Sequence, residues 1–224
     1  MHREANPAIL YFGTPVALIS TLNEDGSPNL APMSSVWWLG YNAMLGFGSR
    51  SKTPQNILRT GECVINLPSA GMVAAVDRLA RTTGSDPVPP HKVAMGYRHE
   101  RDKFAVAGLT AEASLDVLPP RVRECPVQLE ARLAGTHPLA QRIESDRDKL
   151  IALEVTITRV HLHESIRMAG HDHRVDPDLW RPLIMSFCRF YGLGSELQRS
   201  TLAEIPEDGY RPLSRRQLQP TGPR

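Results

Sequence analysis

The sequence predicts a mainly β protein, a β-barrel carrying a few helices, and three observations predict it. Four short apolar runs follow one another between residues 14 and 68, separated by turn signals. Two longer runs, residues 127–133 and 151–157, alternate apolar and polar side chains, the period of a half-buried strand. Helical periodicity is confined to short stretches, the clearest over residues 70–81.

Taken in order, residues 1–13 form a lead-in packed on the barrel. Residues 15–21 read as a buried strand, and Asn23-Glu24-Asp25-Gly26 as a hairpin turn. One extended segment over 29–38 follows, then Gly40-Tyr41-Asn42, then a third strand over 43–48. Gly48-Ser49-Arg50-Ser51-Lys52-Thr53-Pro54 comes next. Proline is favoured at a first helical position because its missing N–H would have no partner there, so Thr53 is expected as the N-cap. Ile57 and Leu58 give the short helix an apolar side, and Gly61 ends it. The free N–H groups of a helix N-terminus, with Arg50 and Lys52 beside them, suit a phosphate. The same residues also suit an ordinary capped turn with solvated cations. Residues 62–67 are the fourth strand.

Over 70–81, Met72, Val73, Val76, Leu79 and Ala80 share one face. Ser85-Asp86-Pro87-Val88-Pro89-Pro90 is a rigid loop. The charged run from Arg98 leads into a short helix closed by Gly108 and is expected to be a solvated face. A short strand over 111–117 stops at Pro119-Pro120. In the two long strands Gln128, Glu130 and Arg132 face outward. Near Thr158 the phase changes, so that Val160 and Leu162 become the apolar positions and His161 and His163 share a face through a bulge. Asp176 caps a turn begun by Pro177, and residues 185–194 are the most aromatic segment. From about Thr201 the composition of Pro, Arg, Gln and Ser marks an arm.

Composition excludes several classes of function. The chain of 224 residues has a net charge of +2, too small for a nucleic-acid footprint. It shows neither a signal peptide's apolar region nor a membrane-spanning run. Cys63, Cys125 and Cys188 are odd in number and far apart, which fits small buried thiols in a reducing cytoplasm. Gly46-Phe47-Gly48 is only a partial glycine fingerprint, with no βαβ unit around it. His99, His161 and His163 read as surface or satisfied histidines. The pairs His161/His163 and His171/His173 come without a fixed carboxylate spacing, so no metal is expected. Trp37 and Trp38 read as core or dimer contacts.

Seven stretches in this order, TPVALIST, EDGSPNLAPMSS, GSRSKTPQNI, GECVINLPS, DKFAVAGLT, PPRVRECPVQLEA and RVDPDLWRPL, resemble the flavin reductase-like family, the FMN-binding split β-barrels. The resemblance implies a homodimeric split barrel over residues 1–195 and a C-terminal extension over 196–224. It implies that Ser49, Arg50, Lys52 and Thr53 bind the phosphate of FMN. It also implies that Asn29, Ala31, Pro32, Met33, Ser34 and Ser35 line the isoalloxazine edge, largely through backbone groups, with the hydroxyls of Ser34 and Ser35 as side-chain donors. The activity implied is that of an NAD(P)H:flavin oxidoreductase, acting on FMN or FAD and passing reduced flavin to a monooxygenase. Two alternatives remain open: a tightly held FMN serving a substrate-specific reductase or oxygenase, and a non-catalytic electron carrier. The chemistry demands no particular acid or base from the protein, and no catalytic residue is assigned.

Overall fold

The computed structural model describes residues 1–210. In chain order it contains β1 (Phe12–Pro15), β2 (Ala17–Leu22), β3 (Pro28–Met33), β4 (Val36–Leu39), β5 (Asn42–Gly48), α1 (Lys52–Thr60), β6 (Glu62–Leu67) and α2 (Val73–Leu79). These are followed by β7 (Thr82–Thr83), α3 (Pro90–Ala94), β8 (Arg98–His99), α4 (Lys103–Ala107), β9 (Ala111–Glu112) and β10 (Arg121–Val122). The chain continues through β11 (Val127–Leu139), β12 (Leu150–Leu162), β13 (Leu183–Ser186) and β14 (Arg189–Gly192).

Seven of these strands make one sheet in the order β3-β2-β6-β11-β12-β5-β4. The segment expected as one strand over 29–38 is therefore two, and its halves lie at opposite edges of the sheet. Only Ser34 and Ser35 separate them. The three steps from Met33 to Val36 span at most about 11 Å, so the sheet must roll until its edges approach. The result is a barrel closed by the chain itself along a seam where β3 and β4 do not pair.

Burial follows the two faces of this sheet. Ala17 and Ile19 of β2 point into the barrel with Leu45, Ile65, Leu153 and Val155. Val16 and Leu18, one residue out of phase, join Leu30, Val76, Leu79 and Phe104 in a second core under α2 and α4. Strand β2 is thus buried from Ala17 to Thr21 because both of its faces are covered. Each fully buried Leu or Ile contributes about 1.5–3 kcal/mol relative to exposure.

The second core has a polar border that the alternation in β11 does not reveal. Gln128 and Glu130 are buried, where outward-facing side chains were expected. The segment joining β9 and β10 lies over them. Glu130 accepts the amides of Leu115 (3.0 Å), Asp116 (2.5 Å) and Val117 (3.2 Å), and His161 Nε2 donates to its other oxygen at 2.7 Å. Gln128 donates to the Val122 carbonyl (2.7 Å) and accepts from Arg121 (2.8 Å). Arg132 is exposed, as expected.

The bulge lies where the phase change places it. Glu130 pairs with Arg159 and Ala131 with Ile157, leaving Thr158 as the extra residue. Leu162 is half-buried, but Val160 is exposed. The helix over 70–81 is shorter than expected: a 3-10 turn, Ala70–Met72, leads into α2, whose Val76 and Leu79 are buried while Val73 and Ala80 face outward. Helix α3 takes up the end of the loop expected over 85–90, starting at Pro90. The lead-in pairs with β13 through β1. Asp176 closes its turn by accepting from Asp178 N at 2.8 Å. Cys63 and Cys125 are buried thiols, whereas Cys188 is exposed, sitting with Phe187 in the positive-φ turn between β13 and β14.

Of the expected extension over 196–224, residues 211–224 lie outside the described residues. The earlier part holds a 3-10 turn, Thr201–Glu204, and reaches back to the barrel through an ion pair between Arg174 and Glu207 (2.9 Å). Among the described residues no helix is long and apolar enough to cross a membrane.

Candidate functional site

Two features suited to a ligand meet at the seam. The first is the outer edge of β3, which pairs only with β2. An edge strand presents unpaired N–H and C=O groups on its open side, and Pro32 removes one donor from the row. The second is the start of α1. It begins at Lys52, two residues before Pro54, so the expected N-cap moves from Thr53 to Ser51. Ser51 makes no side-chain cap, which leaves the first-turn amides of Lys52 and Thr53 without helical acceptors. Gly61 ends the helix in the left-handed region at φ 72°, but only Ile57 of the expected apolar pair is buried and Leu58 is exposed.

Asn29 ties these two features together. It is 2% exposed and donates to Thr21 Oγ1 and to Thr53 Oγ1, both at 3.2 Å. Asn56 of α1 adds a donor to Thr21 Oγ1 (3.1 Å) and another to Asn23 (3.0 Å). Thr53 is 4% exposed, so its hydroxyl serves this network while its amide stays at the helix end. Asn29 Oδ1 is buried with no partner among the described residues. Gly84 packs so closely here that a Cβ would lie 2.7 Å from that oxygen and 3.2 Å from Lys52 Cγ.

Cations surround the helix start. Arg50 is exposed and lines a cavity of about 350 Å³ with Gly48, Ser51, His91 and Lys149, within the size range of small-ligand sites. Lys52 lines a neighbouring cleft of about 370 Å³ and is held by Glu24 at 3.2 Å. That carboxyl lies below its usual range through a backbone hydrogen bond and then the bond from Lys52. Ser49 has both donors engaged, the amide with Lys149 O (2.9 Å) and the hydroxyl with Asp148 O (2.5 Å).

In the seam link, the Ser35 carbonyl accepts from Gly46 N (2.8 Å) and its hydroxyl bonds Tyr11 Oη (3.0 Å). Ser34 is half-buried, and among the described residues nothing engages its hydroxyl. Ala31, Pro32 and Met33 are half-buried along the edge of β3.

The expected site residues therefore gather in two adjoining groups, 29–35 at the strand edge and 49–53 at the helix start. Sequence reading missed His91 and Lys149, which join Arg50 from distant segments. Of the histidines singled out in the sequence, His99 lines the cleft of Lys52 and bonds Ser85 O (3.2 Å), whereas His161 pairs with Glu130 and His163 with Ser165. Among the described residues no group of three or more His, Cys, Asp or Glu is placed to hold a metal ion.

Comparison with known proteins bears on what this arrangement serves. The model of the flavin reductase like domain matches residues 9–189. The chain belongs to the flavin reductase-like family. It is 36% identical over 202 residues to the uncharacterized protein YdfE of Bacillus subtilis (strain 168), covering 90% of this chain and 94% of that one. Its fold is similar to flavoredoxin of Desulfovibrio vulgaris (Miyazaki F), with a TM-score of 0.71 and 21% identity over 92% of this chain and 100% of that one. It is also similar to nitrilotriacetate monooxygenase component B from Bacillus cereus, with a TM-score of 0.67 and 20% identity over 84% of this chain and 88% of that one. The split barrel of the flavin reductase-like family is thus the architecture that brings the free edge of β3 to the first turn of α1.

Proposed function

We propose that the protein is an NAD(P)H-dependent flavin reductase that transfers hydride to FMN, or to FAD, and supplies the reduced flavin to a monooxygenase. One observation carries the reading: a free strand edge and a cationic helix start converge at the seam, joined through Asn29. The donor set fits a flavin mononucleotide. The amides of Lys52 and Thr53 with the side chains of Arg50 and Lys52 would hold its phosphate, since charge-assisted hydrogen bonds are the strong ones. The open edge of β3 along Asn29, Ala31 and Met33 would offer backbone groups to the polar edge of the ring, and Ser34 offers a hydroxyl. Ser49 and Ser35 join only by giving up their present partners. A bound flavin supplies the two-electron chemistry. The chain's own part is to fix the ring edge, neutralise the phosphate and leave the groove open to a nicotinamide donor.

The partner and assembly follow from the same reading. The likeness to a monooxygenase component supports a monooxygenase as the acceptor of reduced flavin. Exposed Phe12 and Phe187, in edge-to-face contact at 4.8 Å, together with Trp37 and Tyr191, support a homodimer built over these faces. Residues 1–195 would be the working domain in the cytoplasm, and 196–224 an extension that sets how open the groove is.

An anaerobic titration tests this function. The protein with one equivalent of FMN is titrated with NADH and then NADPH while the oxidised-flavin absorbance is followed. Rapid bleaching is expected and identifies the donor. Bound flavin that neither nucleotide bleaches would instead assign the protein to electron carriage.

A further inference from the structure

Val160 holds an apolar position of the sequence pattern near the end of β12, yet it is 41% exposed. It lines a cavity of about 710 Å³ together with Leu162, Tyr41 and Tyr210, within the size range of small-molecule sites. None of the lining residues belongs to the groups 29–35 and 49–53 at the seam. The four residues of β4, about 14 Å of strand, separate Ser35 from the turn at Gly40 and Tyr41 that borders this cavity.

The polar part of the wall comes from the loop between β12 and β13 and from the C-terminal extension. Arg167 and Val175 pair across the base of that loop, and Met168 N donates to Arg174 O at 2.9 Å. The backbone beneath both arginines is thereby fixed. Arg174 holds Glu207 of the extension at 2.9 Å. Among the described residues the side chain of Arg167 meets Asp172 alone, one Nη donating to one carboxylate oxygen. Its Nε is buried with no acceptor. A guanidinium carries five N–H donors in a planar fork, and this single contact uses little of it. The Asp172 side chain is 85% exposed, so it can turn into water and yield its place.

We propose that this cavity is a second small-molecule site and takes an aromatic carboxylate. The carboxylate displaces Asp172 and meets the Arg167 guanidinium through both oxygens, reaching the Nε–H that has no acceptor in the free protein. The aromatic body covers Val160 and Leu162 and packs against the rings of Tyr41 and Tyr210. It thus removes apolar surface from water, which the exposed Asp172 does not. The wall also selects by charge. Asp172 and Glu207 stand beside Arg167, so the second charge of a phosphate would meet acids where a monoanion meets the guanidinium. The inference stands apart from the flavin reading of the seam.

The test titrates the full chain with 2-naphthoate by isothermal titration calorimetry, alone and with excess FMN. One saturable site is expected, binding 2-naphthoate at least about tenfold tighter than the uncharged 2-naphthamide, the range of a charge-assisted hydrogen bond. Arg167→Gln should abolish that preference. Asp172→Asn removes the competing charge and should tighten 2-naphthoate severalfold while leaving 2-naphthamide unchanged. Tyr210→Ala should weaken both ligands. If Arg167→Gln folds poorly, the Asp172→Asn arm decides. Absence of saturable binding, equal affinity for acid and amide, or an acid affinity that Asp172→Asn leaves unchanged would overturn the proposal. Displacement by FMN would overturn it too, since the cavity would then belong to the seam site.

Discussion

Asn29 of β3 and Thr53 of α1 share a hydrogen bond of 3.2 Å inside a nearly dry network. It fixes the distance between a strand edge and a helix N-terminus, the two parts from which the proposed flavin site is built. Replacing Asn29 with Ala removes the donor to both Thr53 and Thr21, and such losses cost about 1–3 kcal/mol. Urea unfolding should show that loss, and FMN fluorescence titration a weakened affinity. Unchanged affinity in a folded variant would separate the network from the site.

The charges at the start of α1 should act on phosphate alone. Arg50→Ala is expected to weaken FMN by about 10- to 100-fold, the range of one charge-assisted hydrogen bond. Riboflavin, which has no phosphate, should bind both proteins equally. An equal loss for both ligands would place Arg50 elsewhere.

Glu24 competes for Lys52 across 3.2 Å. Glu24→Gln releases the ammonium and should tighten FMN rather than weaken it. The gain should shrink with added salt, since the groups are partly exposed and screened. Isothermal titration at two ionic strengths reads both effects.

Gly84 is needed for space rather than for an unusual backbone. In Gly84→Ala a new Cβ would stand 2.7 Å from Asn29 Oδ1, so either the loop or Asn29 must move. Flavin affinity should fall by more than global stability does. A melting temperature that drops while FMN affinity holds would argue against this contact.

Glu130 makes stability depend on pH. Its burial raises the carboxyl, but the amides of Leu115 and Asp116, and then His161, overcome that and hold it below its ordinary 4.5. A carboxyl lowered on folding stabilises above its unfolded value and loses that contribution as pH falls through the folded one. Wild type should therefore lose stability as pH drops below about 4.5. Glu130→Gln should be less stable at neutral pH, and the gap should narrow in that acid range. Urea midpoints between pH 3 and 7 measure it.

Much of this was legible in the sequence, and the rest was hidden for physical reasons. The hairpin at Gly26 and the bulge at Thr158 follow from local turn chemistry and phase. The break at Ser34 and Ser35 does not, because every residue from Asn29 to Trp38 tolerates an extended backbone. The N-cap was misplaced because Ser51 and Thr53 both precede Pro54, and proline fits anywhere in a first turn whose amides lack partners. Glu130 and Lys103 read as solvent-facing because the segments that bury them are not their neighbours in the pattern. Motif order pointed to the residues that the fold gathers at the edge of β3 and the start of α1. It did not point to His91 and Lys149, since only the folded chain brings them to Arg50.

The two-residue link at Ser34 and Ser35 has a consequence for solubility. Bare strand edges are templates on which other chains add strands, and this barrel leaves β3 and β4 unpaired along its seam. The groups that would make β3 receptive to the proposed flavin are the ones that would recruit a neighbouring molecule. Filling the groove would therefore also guard the protein against self-association, and the flavin-free form should be the first to aggregate on warming.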